Sequence, residues 1–525
     1  MRNAGRVAVV VFFCLAKVAL SHAESAPATP IRDPQVSDIF VPADLGYVTE
    51  TAEPASPDSP RIIHIQEAHT NYESQRHLIE ILRRLVERQG VKLILVEGGS
   101  GDVSLSYLRS FGSPDNRKEV AEKYLKLGIL SGEEYLDIVS DQPLMLWGVE
   151  QEDLYQQNVQ AFMEGESLQA AAKPVLASLR EAVDALKPLV SDPALLELET
   201  KRAAFDDEQL SLAAYGEFLG GMSRQQGIPE SERPQLERFL DAHQLEQDLQ
   251  LDQVQKEQQA LLEQLSTALT QEDFDDLLAK TRQMKSGEIK PEAFYARLES
   301  FASTSHVALQ QQFPHLFLYI RYVTQSAQVS ATALSDELDR LAGRLRAALA
   351  SNPDSRQLAS VDEQVDLVQK LISLELSPEE YATFQALPLE GLCSGWELAL
   401  GGLLAQHGLQ PRTFDRLAAL QAMLPTVQRF YDAANARDQA LADNALAKVR
   451  QSGERTAVLI TGGFHAPRIA QLLKEKGAGL VVVAPKVGQA TDEALYRAVL
   501  KYKSGHGSFE DVMTVASRAA APAAH

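Results

Sequence analysis

Cysteine, aromatic residues and positive charge are all scarce in this chain of 525 residues. Cys14 lies in an N-terminal segment that we expect to be removed, which leaves only Cys393 and allows no internal disulfide in the mature chain. An aromatic content of 6% argues against an aromatic-lined platform for carbohydrate or single-stranded nucleic acid. The net charge is -22, with 50 basic against 72 acidic residues, so nucleic acid is not expected as a partner.

The chain also lacks an apolar run that is long enough for a comfortable membrane span. Residues 1–23 have the three parts of an export signal: two arginines, an apolar run over Val7–Ala16, and a small-x-small sequence at residues 21–23. We therefore predict an exported protein, periplasmic or secreted, with no stable membrane span after signal cleavage. An uncleaved anchor is the alternative. Residues 24–60 are rich in Pro, Ala, Ser and Asp and are predicted to be a disordered linker, and residues 519–525 a disordered tail.

The first segment with a clear structural pattern is Arg61 to Gly98. A β-branched run from Ile62 to Ile65 predicts a strand, and Thr70-x-x-Glu73 has the spacing of a capping box at the start of a helix. Gly90 is expected to end that helix before a second apolar strand over Val91–Val96. An apolar strand of this kind is typical of a parallel sheet that is covered on both faces, so the unit is predicted to be a βαβ crossover.

The same pattern continues and then returns much later. Leu144–Val149 predicts a third strand, and the segment from Thr456 to Val483 repeats the order strand, turn, helix, strand. Between them, residues 154–450 are predicted to be almost entirely helical. The predicted fold class is therefore α/β, a mainly parallel sheet flanked by helices, with a long all-helical insertion. The two halves of the α/β core are placed at residues 61–153 and 451–518.

Carboxylates and imidazoles stand where the predicted strands end. Glu67 and His69 follow the first strand, Glu97 the second and Glu150 the third, and His465 follows a later one. The ligand crevice of an open α/β sheet lies at the carboxyl ends of its strands, so we expect these side chains to converge there. They can hold a divalent metal ion with an open position for water, or they can supply a metal-free base oriented by a carboxylate. The metal ligands would be Glu67, His69, Glu150 and His465.

Arg437 lies in a predicted helix that ends just before the His465 strand. A guanidinium can clamp a carboxylate or an oxyanion through two parallel hydrogen bonds, and the alternative is a salt bridge to the acidic strand ends. Structural alternatives also remain for the acids, which can precede a helix or cap a loop. His64 and His77 are predicted to be packing or surface residues.

Four short strings in this order resemble a known superfamily. They are QEAH before a helix, a strand that ends at Glu97, RDQALADN near the end of the helical region, and GGFHA before a proline-started helix. The superfamily joins the erythromycin esterase-like proteins, the ChaN-like haem-binding uptake proteins and the TraB/Tiki metalloproteases. The likeness covers about Arg61 to Glu150 and Tyr431 to Pro485. It implies an α/β core with helical insertions and an active-site set of Glu67, His69, Glu97, Arg437 and His465.

The chain departs from this pattern at two places: Gln66 stands where these families usually have glycine, and a methionine common after the Arg-Asp pair is replaced near Leu441. Because the families differ in chemistry, the likeness bears more on fold than on substrate. The leading hypothesis is a hydrolase, with or without a metal ion, that acts on a small molecule or a peptide. The alternatives are a haem or metal binder without turnover, and a helical scaffold for a protein partner.

Overall fold

The computed structural model describes residues 39, 41–42, 44–285, 289–410, 412–488 and 491–519. The predicted export signal and residues 520–525 of the predicted tail lie outside these ranges, so export remains a prediction from the sequence. Within these ranges, no helix is both long enough and apolar enough to cross a membrane.

The α/β part of the chain is built on one mixed sheet. Its strands are β1 Gly46–Ala52, β2 Arg61–Glu67, β3 Leu93–Val96, β4 Ser100–Asp102, β5 Met145–Val149, β6 Thr456–Gly462 and β7 Gly479–Pro485. They lie in the order β1-β7-β2-β6-β3-β5-β4. The five central strands are parallel, and the two edge strands, β1 and β4, run antiparallel to their neighbours.

Helices make up most of the rest. They are α1 Tyr72–Gln89, α2 Pro114–Lys126, α3 Gly132–Val139, α4 Glu152–Val190, α5 Pro193–Asp206, α6 Leu212–Gln225, α7 Pro234–Gln247, α8 Leu251–Ala268, α9 Gln271–Lys285, α10 Pro291–Thr304, α11 Leu309–Gln312, α12 Pro314–Ser326, α13 Ala331–Leu349, α14 Pro353–Ser373, α15 Pro378–Gln385, α16 Leu392–Gln406, α17 Leu417–Ser452, α18 Ala466–Glu475, α19 Glu493–Lys503 and α20 Phe509–Ala519. Short 3-10 helices span Ser106–Ser110 and Glu230–Glu232. The predicted fold class, an α/β sheet with a long helical insertion, is confirmed.

The sheet is covered on both faces because its strands carry apolar residues at successive positions. In β2, Ile63 and Ile65 pack in one cluster with α1, α2 and α3. Ile62 points to the other face, where it packs in a cluster with α17 and α18. Alternation of side chains along a strand explains why neighbouring residues serve opposite faces.

The long helix α17 joins the helical insertion to the sheet. Its first half places Leu420 and Val427 in the largest core of the insertion, together with residues of α4, α14 and α16. Its second half places Leu441 and Leu446 against the sheet. Because the helix is continuous over 36 residues, Arg437 is carried to the carboxyl ends of the strands.

Three local predictions were wrong. Gly46–Ala52 belongs to the predicted disordered linker, but it forms β1, which pairs with β7. The glycines at positions 98, 99 and 101 predict a loop after Glu97, but Ser100–Asp102 forms the short edge strand β4. Helix α1 is capped by Asn71, which accepts a hydrogen bond from the Ser74 amide, and not by a Thr70 capping box. The predicted stop at Gly90 is confirmed, since this residue has a left-handed backbone with φ of 68°.

Candidate functional site

The predicted site residues lie at the carboxyl ends of four neighbouring strands. Strands β2, β6, β3 and β5 are adjacent and parallel, so their ends meet at one edge of the sheet. Glu67 is the last residue of β2, and Glu97 and Glu150 directly follow β3 and β5. His465 follows β6 at the start of α18. The order of strands therefore brings together side chains that are up to four hundred positions apart in the chain.

Arg437 is the centre of a buried group that we call the inner network, which comprises Glu97, Glu150, Arg437, Asp438 and His465. The side chain of Arg437 is 5% exposed, and its Nη2 lies 2.5 Å from Glu150 Oε1 and 3.1 Å from Glu97 Oε1. Its Nη1 donates to Asn158 Oδ1 at 2.7 Å, and its Cζ lies 5.1 Å from the centre of the Tyr155 ring. Two roles were considered for Arg437: a clamp for a bound carboxylate or oxyanion, and a salt bridge to the acids at the strand ends. The structure contains the salt bridge.

His465 connects two carboxylates of the inner network. Its Nδ1 lies 2.5 Å from Asp438 Oδ1, and its Nε2 lies 3.4 Å from Glu97 Oε1. Burial lowers the pKa of His465, but the Glu97 and Asp438 carboxylates outweigh burial and raise it above its ordinary value. Burial alone would raise the pKa of Glu97, yet His465 and Arg437 hold it down at about 2. The network is therefore a set of compensated buried charges.

Glu67 and His69 form a second, more accessible pair, which we call the outer dyad. His69 Nδ1 lies 2.5 Å from Glu67 Oε1, and the His69 side chain is 37% exposed, against 8% for Glu67. Gln75 donates from Nε2 to Glu67 Oε2 at 2.7 Å and to the His69 carbonyl at 3.1 Å, and it accepts from the Gly132 amide at 2.6 Å. Gln75 of α1 thus holds both residues of the dyad, and the first residue of α3 holds Gln75.

Neighbouring charges also shift the pKa values of both residues of the dyad. Burial lowers the pKa of His69, but the adjacent Glu67 carboxylate reverses this effect and raises the pKa to about 9. The pKa of Glu67 is lowered, because His69 outweighs the opposing effect of burial. Glu97 of the inner network also favours the protonated form of His69, so the two groups are electrostatically coupled.

The backbone at Gly462 joins the outer dyad to the inner network. The Gly462 amide donates to Glu97 Oε2 at 2.8 Å. A Cβ added at Gly462 would lie 2.6 Å from His69 Nε2, so only glycine allows the imidazole to come this close. The Tyr496 ring of α19 stacks on the His69 ring, with 5.8 Å between ring centres. His69 is therefore held between a strand end and α19.

Four residues of the site were missed as site residues in the sequence. Asp438 was noted only as the neighbour of Arg437, although it orients His465. Gln75, Asn158 and Tyr496 lie on helices whose contacts with the strand ends depend on the tertiary fold. Only Asp438 had a usable signal, because a carboxylate beside a buried arginine needs its own partner.

The predicted metal ligands do not form one ligand set. Glu150 accepts from both Nε and Nη2 of Arg437, and His465 has a carboxylate near each ring nitrogen. A guanidinium thus already supplies the positive charge among these groups. Within the part of the chain that the structure describes, no group of three or more His, Cys, Asp or Glu side chains could hold a metal ion. In this arrangement Glu150 and His465 are held by partners within the protein, and metal binding and haem binding both remain predictions.

The two histidines that were expected to have structural roles both contact the core of the sheet or its loops. His64 is fully buried in β2, and its Nε2 lies 2.8 Å from Thr461 Oγ1. Burial lowers its pKa to about 4, so it is neutral. His77 Nδ1 lies 2.8 Å from the Lys486 carbonyl.

Comparison with known proteins adds no assignment to this geometry: no family model, no curated protein and no solved structure matches the chain.

Proposed function

We propose that this protein is a hydrolase in which His69 of the outer dyad acts as a metal-free general base toward water. The observation that carries the proposal is the asymmetry of the His69 imidazole. Its Nδ1 is held by Glu67 at 2.5 Å, while more than a third of the side chain is exposed. No hydrogen bond to its Nε2 is found among the described residues. An imidazole with one nitrogen fixed by a carboxylate and no protein hydrogen bond seen at the other is suited to proton transfer.

The chemistry follows from this arrangement. As a water molecule attacks the carbonyl carbon of an ester or amide, His69 Nε2 takes its proton, and Glu67 stabilises the imidazolium that forms. The tetrahedral intermediate then expels the alkoxide or amine, which takes the proton back from Nε2. Tyr496 is placed beside the imidazole, and its pKa, raised to about 12 by burial and by Glu97, keeps its hydroxyl a hydrogen-bond donor.

Arg437 has a different task in this mechanism from the one first expected. Its guanidinium contacts Glu97, Glu150 and Asn158, so it is committed to protein partners. In our proposal it therefore stabilises the inner network, which in turn fixes Gly462 and its neighbour His69, and it does not contact the developing oxyanion. Arg437 and His465 are positioning residues.

The test is hydrolysis of a panel of p-nitrophenyl esters and fluorogenic peptides by the parent and by His69→Ala. We expect a loss of about 10²-fold or more in kcat/KM, which is typical when a general base is removed. His315→Ala is the matched control, because His315 forms a similar contact with Glu257 at 2.6 Å in the helical insertion. The control should keep the parent rate.

Metal dependence is tested on the same panel. The parent should retain its rate after treatment with EDTA. A rate that falls with EDTA and returns with Zn²⁺ would overturn the metal-free mechanism, and equal rates for the parent and His69→Ala would remove His69 from it. If the parent hydrolyses no member of the panel, the proposal of a hydrolase of these substrates is wrong.

A further inference from the structure

Several large exposed apolar side chains lie on α2 and α20 or next to α2. Two of them, Tyr107 and Phe111, are 62% and 65% exposed and lie just before α2. Val120 and Tyr124 lie one helical turn apart on α2 and are 52% and 41% exposed. Phe509 of α20 lies 6.3 Å from Tyr124 between ring centres, which joins α20 to the same surface. We call this surface the aromatic patch: Tyr107, Phe111, Val120, Tyr124, Phe509 and Met513.

The segment that carries most of the patch differs in charge from the rest of the chain. Residues 106–126 contain five basic and three acidic residues, a net of +2, whereas α20 contains one basic and two acidic residues. The whole chain has a net charge of -22, so residues 106–126 are a locally basic region of an acidic protein. Exposed aromatic residues here stand among Lys and Arg side chains, which would complement an anionic surface.

The patch lies beside the candidate site. Tyr72, three residues after His69, is 36% exposed, and Lys126 of α2 lies 5.6 Å from the centre of its ring. Thr70 is in contact distance of Gly128, directly after α2. A surface that binds this patch would therefore lie close to the outer dyad.

A lipid surface fits these features better than a protein partner does. The centres of protein interfaces are depleted in lysine, whereas this patch has lysines between its aromatic residues. Tyrosine and phenylalanine with long basic side chains are typical of the boundary between water and lipid, where rings enter the acyl boundary and the cations meet headgroups. We propose that the aromatic patch docks this protein on an anionic phospholipid bilayer, with the outer dyad beside the membrane surface.

Sedimentation with sucrose-loaded vesicles tests the proposal independently of any hydrolysis. The full-length chain should bind vesicles of equal parts phosphatidylcholine and phosphatidylglycerol, and bind phosphatidylcholine alone more weakly. The double variant Tyr107→Ser/Phe111→Ser should bind about tenfold more weakly, because two exposed rings that would enter the interface are removed. Leu398→Ser is the matched control, since Leu398 is 80% exposed on α16, away from the patch. It should bind like the parent.

Charge reversal gives a second measurement. Lys118→Glu on α2 should weaken binding to the anionic vesicles several-fold at low salt, and Lys256→Glu on α8 should not.

Equal binding by the parent and the double patch variant would overturn the proposal. So would binding that is lost in Val10→Glu/Phe13→Glu but kept in the patch variant, which would assign it to the N-terminal apolar run. Parent protein that binds no vesicles but forms dimers that Tyr107→Ser/Phe111→Ser disrupts would make the patch a self-association surface, and this also overturns the proposal.

Discussion

The inner network and the outer dyad contain the same kinds of groups but differ in how completely those groups are used. Both pair an imidazole Nδ1 with a carboxylate oxygen at 2.5 Å. His465 is 8% exposed, and charged partners lie near its other nitrogen as well. His69 is 37% exposed, and among the described residues Glu67 is the one carboxylate that forms an ion pair with it. The same pair of groups thus occurs once as a buried unit with partners at both nitrogens and once with no hydrogen bond from the described residues to Nε2.

This difference separates stability from chemistry. Removing one partner from a buried set of charges leaves the others uncompensated, which costs far more than losing a partly exposed contact. A group that transfers protons must instead keep one nitrogen accessible to water or substrate. We therefore expect substitutions in the inner network to act first on folding, and substitutions in the outer dyad to act first on activity.

Arg437→Met should give the largest effect. Without the guanidinium, Glu97 and Glu150 face each other in the buried network without their shared cation. Removing one member of a buried ion pair typically costs about 3–5 kcal/mol. We expect a clearly lower midpoint of urea unfolding, followed by circular dichroism, and loss of soluble protein at 37 °C.

Arg83→Met is the matched control for that change. Arg83 also lies between two glutamates, Glu80 and Glu87, but on the exposed side of α1. Exposed ion pairs contribute about 0–1 kcal/mol, so this variant should unfold nearly like the parent. If the two variants unfold at the same denaturant concentration, the inner network is not a structural unit.

Gly462→Ala should have an intermediate effect and acts on the point where the two groups meet. The new Cβ would lie 2.6 Å from His69 Nε2, so the imidazole must move away from its position against the strand end. We expect a loss of about tenfold or more in kcat/KM, in line with the cost of misplacing a catalytic group by about 1 Å.

Gly221→Ala separates this effect from the general effect of adding a methyl group. Among the described residues, nothing lies within 4 Å of a Cβ added at Gly221, which is on α6. This control should keep full activity and be stabilised slightly, since alanine favours a helix over glycine by about 1 kcal/mol. Unchanged hydrolysis in Gly462→Ala would show that His69 does not act from the position described.

Most of the fold could be predicted because its signals are local. The apolar runs at Ile62–Ile65 and Leu480–Ala484 and the glycine at Gly90 specify strands and a helix end over a few residues. Edge strands have weaker signals. Gly46–Ala52 has only a half-buried pattern, and Ser100–Asp102 is too short to show one, so both become strands only by pairing with β7 and β5.

The location of the site could be predicted for a similar reason, but its internal connections could not. Strand ends bring Glu67, Glu97, Glu150 and His465 to one edge of the sheet whatever contacts they then make. Whether Glu150 binds a metal ion or a guanidinium depends on how α17 is oriented, and this orientation follows from packing over the whole insertion. Gln75 likewise enters the site only because α1 and α3 are packed together.

Glu67→Gln should have the smallest effect on the rate at neutral pH, but a distinct effect on its pH dependence. The pKa of His69 is about 9, so its unprotonated, basic form accumulates as the pH rises toward that value. In the parent, hydrolysis should therefore increase by about tenfold per pH unit below pH 8.5 and level off above 9. The stabilisation from the Glu67–His69 contact has the opposite dependence on the titration of His69: it is present at neutral pH and is lost as the pH rises through 9. It is also lost in acid, as the pH falls through the lowered pKa of Glu67.

Replacing the Glu67 carboxylate by an amide removes the main influence that raises the pKa of His69, and we expect that pKa to fall by about one unit or more. More base is then present at pH 7, while the imidazole is less well oriented, so the two effects partly cancel in the rate. The shift itself is measured by NMR titration of the His69 ring protons and by the pH–rate profile.

Glu257→Gln removes the comparable carboxylate beside His315 and should leave the pH–rate profile unchanged. A profile that stays at its parent position in Glu67→Gln would mean that the titrating base is not His69, and the contrast between an open dyad and a closed network would lose its chemical meaning.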